Sequence, residues 1–321
     1  MSKEIVEAIE EFGLVKKGKS QSLFSKIGVV GCGVVGQSIA RVASTYGIEV
    51  VFVEVSEERI KESLAGIEKV LDERIAGWGI TGGEKRAILS RIEGTTEYSK
   101  LKGCDFVIEA IRAVDRGGKL ELRKEIFKKI EEVVSTDCII ATNSTTIVIT
   151  ELSADLKHKE RCVSLHYLTS SRDAKMVEVV KGLHTSDLTY ERVCIFVNMI
   201  NRKPIPVAES AGLIIVRMFV VTLNEACDML MEGVSSIRNI DESMNIGFGM
   251  RMGPFALADQ MGLDKVIRWM DNLYNEFGDV KYKPSPYIKR LVRAKQLGVN
   301  SGKGFYVYNE NGEVVKSADE N

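Results

Sequence analysis

The stretch "KIGVVGCGVVGQSIA", residues 26–40, decides the fold. Its first five residues are almost all apolar without alternation, which is typical of a strand buried on both faces of a sheet. Three glycines spaced G-x-G-x-x-G follow, and a helical segment then reaches about Tyr46. This order of strand, glycine-rich turn and helix predicts the start of a parallel sheet covered by helices.

Each glycine of this turn has a separate task. Gly31 permits the tight turn, Gly33 lets a pyrophosphate approach the backbone, and Gly36 lets the helix pack on the strand. Val34 and Val35 begin the helix, whose first N–H groups and partial positive charge favour an anion. Glycines often make turns and nothing more, but this motif follows a strand and opens a helix, as dinucleotide binding requires.

The residue that follows the second buried strand indicates which dinucleotide binds. The segment IEVVFVE, residues 48–54, ends at Glu54, 18 residues after Gly36. A carboxylate at this place can accept both hydroxyls of an adenosine ribose and would repel the extra phosphate of NADP. We therefore predict NAD as the cofactor; the alternative is a solvated glutamate at a strand end.

The periodicity of the remaining chain predicts two domains. Further strands are expected at 105–110, 138–142, 161–168 and 176–182, and helices at about 118–134 and 187–200. Residues 203–210 are rich in turn signals and mark the border before a helical region that runs from 211 to about 293. The predicted fold class is an α/β Rossmann-like NAD-binding domain followed by an all-α C-terminal domain. The predicted units are an N-terminal helical extension (1–25), the NAD-binding domain (26–206) with a helical hairpin (57–92), and the helical C-terminal domain (207–321).

Composition excludes several classes of function. Lys plus Arg number 44 and Asp plus Glu 45, a net charge of −1, which argues against nucleic acid as a partner. The six cysteines are scattered without a CxxC motif, so we expect reduced thiols, mostly in the core, in a cytoplasmic protein without a metal site. Neither a membrane-spanning stretch nor a signal peptide is expected, and hence no membrane partner.

A histidine and a glutamate lie where charged groups are rare. His166 ends the apolar run RCVSLHYL, and Glu178 lies twelve residues later inside MVEVV. Ligands bind at the carboxyl ends of parallel strands, so His166 is a candidate general base beside the nicotinamide. Glu178, on a neighbouring antiparallel strand, is the candidate carboxylate that fixes its tautomer. The alternative is a histidine with an ordinary core or surface role, as we expect for His158 and His184.

Several motifs together resemble the 3-hydroxyacyl-CoA dehydrogenase family, in particular its short bacterial members that act on 3-hydroxybutyryl-CoA. The resemblance covers about residues 26–310. It rests on GCGVVGQSIA (31–40), DFVIEA (105–110), ATNSTTIVIT (141–150), LH (165–166), MVEVV (176–180), GMRMGPFALADQMGLD (249–264) and LGVNSGKGFYVY (297–308).

The resemblance implies a reaction and roles for residues. Hydride would pass reversibly between C3 of a short 3-hydroxyacyl-CoA and the nicotinamide of NAD, with His166 as base and Glu178 as its orienting carboxylate. Thr145 stands where the family has a serine that hydrogen-bonds the substrate oxygen; the alternative is a helix cap. Asn143 aligns with a residue beside the nicotinamide, or is a turn residue, and Ala110 aligns with backbone near the cofactor ribose. The family also implies a homodimer formed through the helical domains.

The chain departs from the family's pattern near the expected substrate site. Thr169 and Ser170 replace the usual Asn-Pro after the histidine, and Val216 replaces an asparagine. Ala113 replaces a glutamate, and the segment AVDRGGKLEL (113–122) is about five residues longer than usual. Arg112 and Arg116 add positive charge near the expected cofactor edge. We expect altered substrate choice, with Thr169 and Val216 as substrate contacts; ordinary acyl-CoA activity and weakened catalysis are the alternatives.

The helical hairpin of residues 57–92 adds candidate contacts to CoA. Lys61 and Lys69 are the cations that would face its phosphates, although interleaved glutamates are equally typical of a solvated helix. Trp78, at the tip, is expected to pack. Two other readings of the whole chain stay open: a dehydrogenase of a free 3-hydroxy acid, carnitine-like or sugar-acid-like, and a weakly catalytic NAD-binding scaffold.

Overall fold

The computed structural model describes residues 24–111, 119–167 and 175–320. Several sequence predictions fall outside these ranges. They concern most of the N-terminal extension and Arg112, Ala113, Arg116, Thr169 and Ser170.

An eight-stranded sheet forms the N-terminal part of the described chain, with strand order β3-β2-β1-β4-β5-β6-β7-β8. Neighbouring strands are parallel except β6 and β7, which are antiparallel. The predicted parallel sheet is therefore confirmed, with one reversed junction. The strands are β1 (Lys26–Val30), β2 (Glu49–Val53), β3 (Ile92–Thr95), β4 (Phe106–Glu109), β5 (Ile139–Thr142), β6 (Cys162–Tyr167), β7 (Met176–Lys181) and β8 (Lys203–Ala208).

The turn-rich border predicted at 203–210 is wrong in one respect, because Lys203–Ala208 forms strand β8. Among the described residues this strand pairs only with β7, with Pro204 opposite Val177 and Pro206 opposite Val179. Proline is tolerated on an edge strand when its missing N–H would face away from the neighbour. Whether the domain boundary lies at 206 stays a prediction.

Six α-helices accompany the sheet in the described ranges. The two predicted helices of the hairpin are confirmed, and both begin at side-chain caps: Ser56 accepts from the N–H of Arg59, and Thr81 forms a capping box with Glu84. The helices are α1 (Val34–Thr45), α2 (Glu57–Ala76), α3 (Gly82–Leu89), α4 (Lys119–Val133), α5 (Ile149–Leu152) and α6 (Asp187–Met199).

Both faces of the sheet are buried, which explains why its strands do not alternate with polar residues. Ile27, Phe52 and Phe106 belong to a core cluster on one face, whereas Val51 and Val107 belong to a cluster on the other. Successive side chains of a strand point to opposite faces, so both positions must be apolar.

The C-terminal part of the chain is helical and has its own core. The predicted fold class is confirmed, and the structure adds a two-stranded antiparallel sheet near the C-terminus. The elements are α7 (Ile215–Met231), α8 (Ile237–Phe248), α9 (Pro254–Met261), α10 (Leu263–Phe277), α11 (Pro286–Arg293), β9 (Tyr306–Tyr308) and β10 (Val314–Ser317).

Two buried aspartates tie β9 to these helices. Asp259 on α9 accepts from the N–H groups of Phe305, at 3.0 Å, and Tyr306, at 2.9 Å. Asp241 on α8 accepts from the N–H of Phe255 and from the Tyr306 hydroxyl, both at 2.9 Å. Desolvation by burial raises the pKa of Asp259 to about 6 despite these bonds.

Trp78 at the hairpin tip does not pack as expected. Its side chain is 96% exposed, and its backbone has a positive φ of 58°. Among the described helices, none is both long enough and apolar enough to span a bilayer.

Candidate active site

The glycine-rich turn has the shape that the sequence predicts for a pyrophosphate cradle. Gly31 has a φ of +89°, which L side chains rarely adopt, and a Cβ on Gly36 would lie 2.2 Å from the carbonyl oxygen of Gly31. A Cβ on Gly33 would meet no atom within 4 Å, so the space in front of the α1 N-terminus is open. Val34 and Val35 form the first turn of α1 beside it. These residues therefore fit the pyrophosphate of a dinucleotide.

Glu54 follows β2 and lies against this turn. Its Oε1 atom accepts a hydrogen bond from the N–H of Cys32 at 2.6 Å. The Cys32 carbonyl in turn accepts from Gln37 Nε2 at 3.1 Å and from the Ser63 hydroxyl at 2.8 Å. The carboxylate is thus held at the rim of the turn, as a contact to the adenosine ribose requires. Nothing in the sequence indicates that Gln37 and Ser63 bond to the Cys32 carbonyl.

His166 and Glu178 meet across the antiparallel junction of the sheet. They are directly opposite each other in the β6–β7 register. His166 Nδ1 lies 2.6 Å from Glu178 Oε2, and the two residues are 4% and 0% exposed. An ionised carboxylate only accepts, so Nδ1 carries the hydrogen and Nε2 is left as the acceptor. The predicted pairing of the two side chains is confirmed.

The second oxygen of Glu178 reaches into the C-terminal part of the chain. Oε1 accepts from the backbone N–H groups of Ile214, at 3.0 Å, and Ile215, at 3.3 Å, where α7 begins. A helix N-terminus carries a partial positive charge that stabilises a carboxylate. Any residue except proline can supply a backbone N–H donor, so the sequence could not predict this contact.

The segment after β5 brings two more of the predicted site residues, Asn143 and Thr145, to the same edge of the sheet as His166. Asn143 Oδ1 accepts from the N–H of Tyr167, the residue after His166, at 2.9 Å. Asn143 therefore bridges two strand ends and presents its amide N–H group as a donor. Thr145 accepts from the N–H of Gly212 through its carbonyl at 2.8 Å. It does not cap a helix, since α5 begins after Val148.

Comparisons with known proteins identify the family of the chain. Residues 26–210 match the family model of the 3-hydroxyacyl-CoA dehydrogenase NAD-binding domain, and residues 212–308 match that of its C-terminal domain. The chain belongs to the 3-hydroxyacyl-CoA dehydrogenase family. It is an NAD-dependent oxidoreductase, as this membership and the NAD-binding domain require.

Named relatives of this dehydrogenase include bacterial and mitochondrial enzymes. A 3-hydroxybutyryl-CoA dehydrogenase of Clostridioides difficile is 35% identical over 285 residues, which cover 89% of this chain and 100% of that protein. A mitochondrial hydroxyacyl-coenzyme A dehydrogenase of Rattus norvegicus is 30% identical, covering 96% and 99%. The crystal structure of a (S)-3-hydroxybutyryl-CoA dehydrogenase of Ralstonia eutropha superposes with a TM-score of 0.82 at 35% identity, covering 89% and 100%.

A buried charged network lies beneath the site of the dehydrogenase. Glu109, at the end of β4, forms an ion pair with Arg123 of α4 and accepts from the Thr142 hydroxyl and the Ile111 N–H, each at 2.7 Å. Arg123 Nη2 donates to the Ile111 carbonyl at 3.0 Å. The network therefore ties the end of β4 to the end of β5 and to α4.

The remaining predicted site residues range from exposed to fully buried. Ala110 is buried at the end of β4, and its N–H donates to the Val30 carbonyl at 2.8 Å. Lys61 and Lys69 are exposed on α2, where they could reach solvent or a ligand. Val216 is only 1% exposed and belongs to the core cluster of the C-terminal helices. Thr169 lies outside the described residues.

Proposed function

We propose that the protein oxidises a short-chain 3-hydroxyacyl-CoA, such as 3-hydroxybutyryl-CoA, to the 3-oxoacyl-CoA, reversibly and with NAD. The observation that carries this proposal is the buried His166–Glu178 pair at the carboxyl edge of a sheet whose first turn fits a dinucleotide. The names of the relatives in C. difficile and R. eutropha support the substrate class.

The geometry assigns a task to each residue of the pair. Glu178 holds the hydrogen on Nδ1, so His166 Nε2 is free to take the hydroxyl proton of the substrate during oxidation and to return it during reduction. Glu178 also stabilises the imidazolium that forms. NAD supplies the acceptor for hydride when it is bound.

Neighbouring residues would bind and orient the reactants. The Thr145 hydroxyl would donate to the substrate oxygen, and the Asn143 amide would donate to the nicotinamide side of the cofactor. Glu54 would accept the adenosine ribose hydroxyls and disfavour NADP, while Lys61 and Lys69 would contact CoA phosphates. Thr169 and Val216 stay predicted determinants of substrate choice, Val216 through the packing behind the site.

The experiment compares two histidine variants in the oxidation of NADH by acetoacetyl-CoA. His166→Ala should lower kcat by about 100-fold to 10,000-fold, the usual contribution of a general base. His158→Ala is the matched control, because His158 also lies near a glutamate, Glu160, at 3.3 Å but is only half-buried. Unchanged turnover in His166→Ala would refute the assignment of the base.

A panel of substrates separates the proposed function from its rivals. Activity that depends on the CoA thioester, across longer acyl homologues, supports the proposal. Activity on a free 3-hydroxy acid without inhibition by CoA would identify a free-acid dehydrogenase. Tight NAD binding without turnover of any 3-oxo substrate would identify a scaffold.

We also infer a cytoplasmic homodimer, formed through the C-terminal helices, that acts in fatty acid metabolism. Ile246 and Phe248 on α8 are 83% and 81% exposed, as expected of apolar residues that a second copy covers. All six cysteines are free thiols, which fits a reducing compartment. Light scattering of wild type and an Ile246→Glu/Phe248→Glu variant tests the interface, since a monomeric wild type would refute it.

A further inference from the structure

One short segment between the two parts of the chain contacts both halves of the candidate active site. Within Gly212–Ile215, the N–H of Gly212 donates to the Thr145 carbonyl at 2.8 Å. Two residues on, the N–H groups of Ile214 and Ile215 donate to Glu178 Oε1 at 3.0 and 3.3 Å. The other oxygen of Glu178 holds His166. The backbone of this segment thus bonds both to Glu178, which holds the predicted base His166, and to Thr145, the predicted substrate donor.

The backbone of this segment is held in an unusual conformation. Gly212 has a φ of +78°, and the following Leu213, although not a glycine, has a φ of +52° and is 6% exposed. A bulky residue in the left-handed region persists only where surrounding structure imposes it. The conformation therefore results from packing and not from the local sequence.

That packing comes from the C-terminal helices. A Cβ on Gly212 would lie 2.7 Å from Leu273 Cδ2 on α10 and 3.0 Å from Arg217 Cγ on α7. Close to this segment, Asn272 of α10 donates to the Thr146 hydroxyl at 2.8 Å. The segment is thus fixed by the helices on one side and bonded to the sheet residues on the other.

We propose that Gly212–Ile215 is a positioning element through which the docked helical region orients Glu178, and through it His166. The inference rests on the proposed function, in which these two residues act on the substrate. Both carboxylate oxygens of Glu178 are engaged, one by the imidazole and one by the α7 N-terminus, so the side chain has little freedom to turn. A displacement of the segment turns the carboxylate and moves the base, and an error of about 1 Å in such a position can lower a rate about 100-fold.

The test is Gly212→Ala, with Gly233→Ala as its matched control. Gly233 lies just beyond the other end of α7 with nearly the same φ, +74°, but a Cβ there would meet nothing within 4 Å. Both variants carry similar backbone strain, whereas only Gly212→Ala must push the segment away from Leu273.

Steady-state kinetics with NADH and acetoacetyl-CoA separate positioning from folding. Gly212→Ala should lower kcat about 10-fold to 100-fold with an unchanged KM for NADH, and should raise the isotope effect with NADH deuterated at the transferred hydrogen. Gly233→Ala should retain the wild-type kcat and isotope effect. Equal kcat values in the two variants would overturn the inference.

Amide hydrogen exchange tests the same contact without altering the segment, and covers the case in which Gly212→Ala does not fold. In Glu178→Gln, the amides of Ile214 and Ile215 should exchange about tenfold faster than in wild type, because a neutral amide oxygen is the weaker acceptor. Unchanged exchange, or fast exchange at both amides in wild type, would overturn the inference. Wild-type protein that turned over no 3-oxoacyl substrate would refute the proposed function. The exchange result would then test only whether the Ile214 and Ile215 amides are bonded to Glu178.

Discussion

Arg123→Met should destabilise the protein strongly, because it leaves the carboxylate of Glu109 buried without its cation. Glu109 is completely buried and Arg123 nearly so, and the substitution removes the ion pair as well as the 3.0 Å hydrogen bond to the Ile111 carbonyl. Removal of one partner of a buried pair typically costs about 3–5 kcal/mol. The bonds from Thr142 and Ile111, both at 2.7 Å, stabilise the remaining carboxylate, so we expect a value near the lower end of that range.

The double variant Glu109→Gln/Arg123→Met distinguishes a buried charge from lost packing. Without any charge to desolvate, it should be more stable than Arg123→Met alone by about 1–3 kcal/mol. Arg123→Lys keeps the charge but loses the planar pair of donors, so it should fall between wild type and Arg123→Met.

Urea unfolding measures these differences. Circular dichroism reports the whole chain, whereas fluorescence reports mainly the buried Trp269 of the helical region, since Trp78 is exposed. Coincident transitions justify a single free energy of unfolding. A loss below about 1 kcal/mol in Arg123→Met, or a double variant less stable than the single one, would refute the reasoning.

Three further predictions concern pH, the glycine turn and the thiols. Burial raises the pKa of Asp259 from 3.8 to about 6, so the folded state keeps a proton that the unfolded chain loses between about pH 4 and 6. Stability should therefore fall as pH rises through this window, by on the order of 3 kcal/mol. The urea midpoints of Asp259→Asn should show a shallower slope, to which Asp241, whose pKa burial also raises, still contributes. Gly36→Ala should lower both the melting temperature and the affinity for NADH, because its Cβ would overlap the Gly31 carbonyl. Gly33→Ala should keep the wild-type melting temperature and lower only the affinity for NADH, measured by titration. With a disulfide reagent at pH 8, Cys194 should react first in the native protein, since it is the one cysteine of the six that is not buried. Desolvation raises the pKa of all six thiols, but those of the five buried ones to about 11 or 12.

The features that the sequence predicted correctly depend on local patterns. The buried strands, the helical hairpin and the glycine turn follow from apolar runs and fixed spacings. These patterns can be recognised without knowing which distant residues are in contact. The antiparallel pairing of His166 with Glu178 followed from two ionisable residues in apolar runs separated by a short connection. Strand β8 was missed because its two prolines indicate a turn unless the strand is known to lie at an edge.

The contacts that the sequence could not predict join residues far apart in the chain. The donors to Glu178 are backbone N–H groups of Ile214 and Ile215, which any residue except proline could supply. Glu109 and Arg123 are spaced like ordinary surface charges of a helix and a strand end, and only the fold shows that both are buried. Trp78 was expected to pack because large aromatic residues usually do, yet its place at a hairpin tip leaves it exposed.

The register of β6 and β7 by itself places His166 opposite Glu178. His166 and Glu178 face each other because the ladder pairs them, and a slip by one residue would send their side chains to opposite faces. Changes in the length and composition of residues 168–175 are therefore expected to leave the His166–Glu178 pair intact. Exchange of this connection between relatives tests the prediction that Thr169, which lies in it, sets substrate choice.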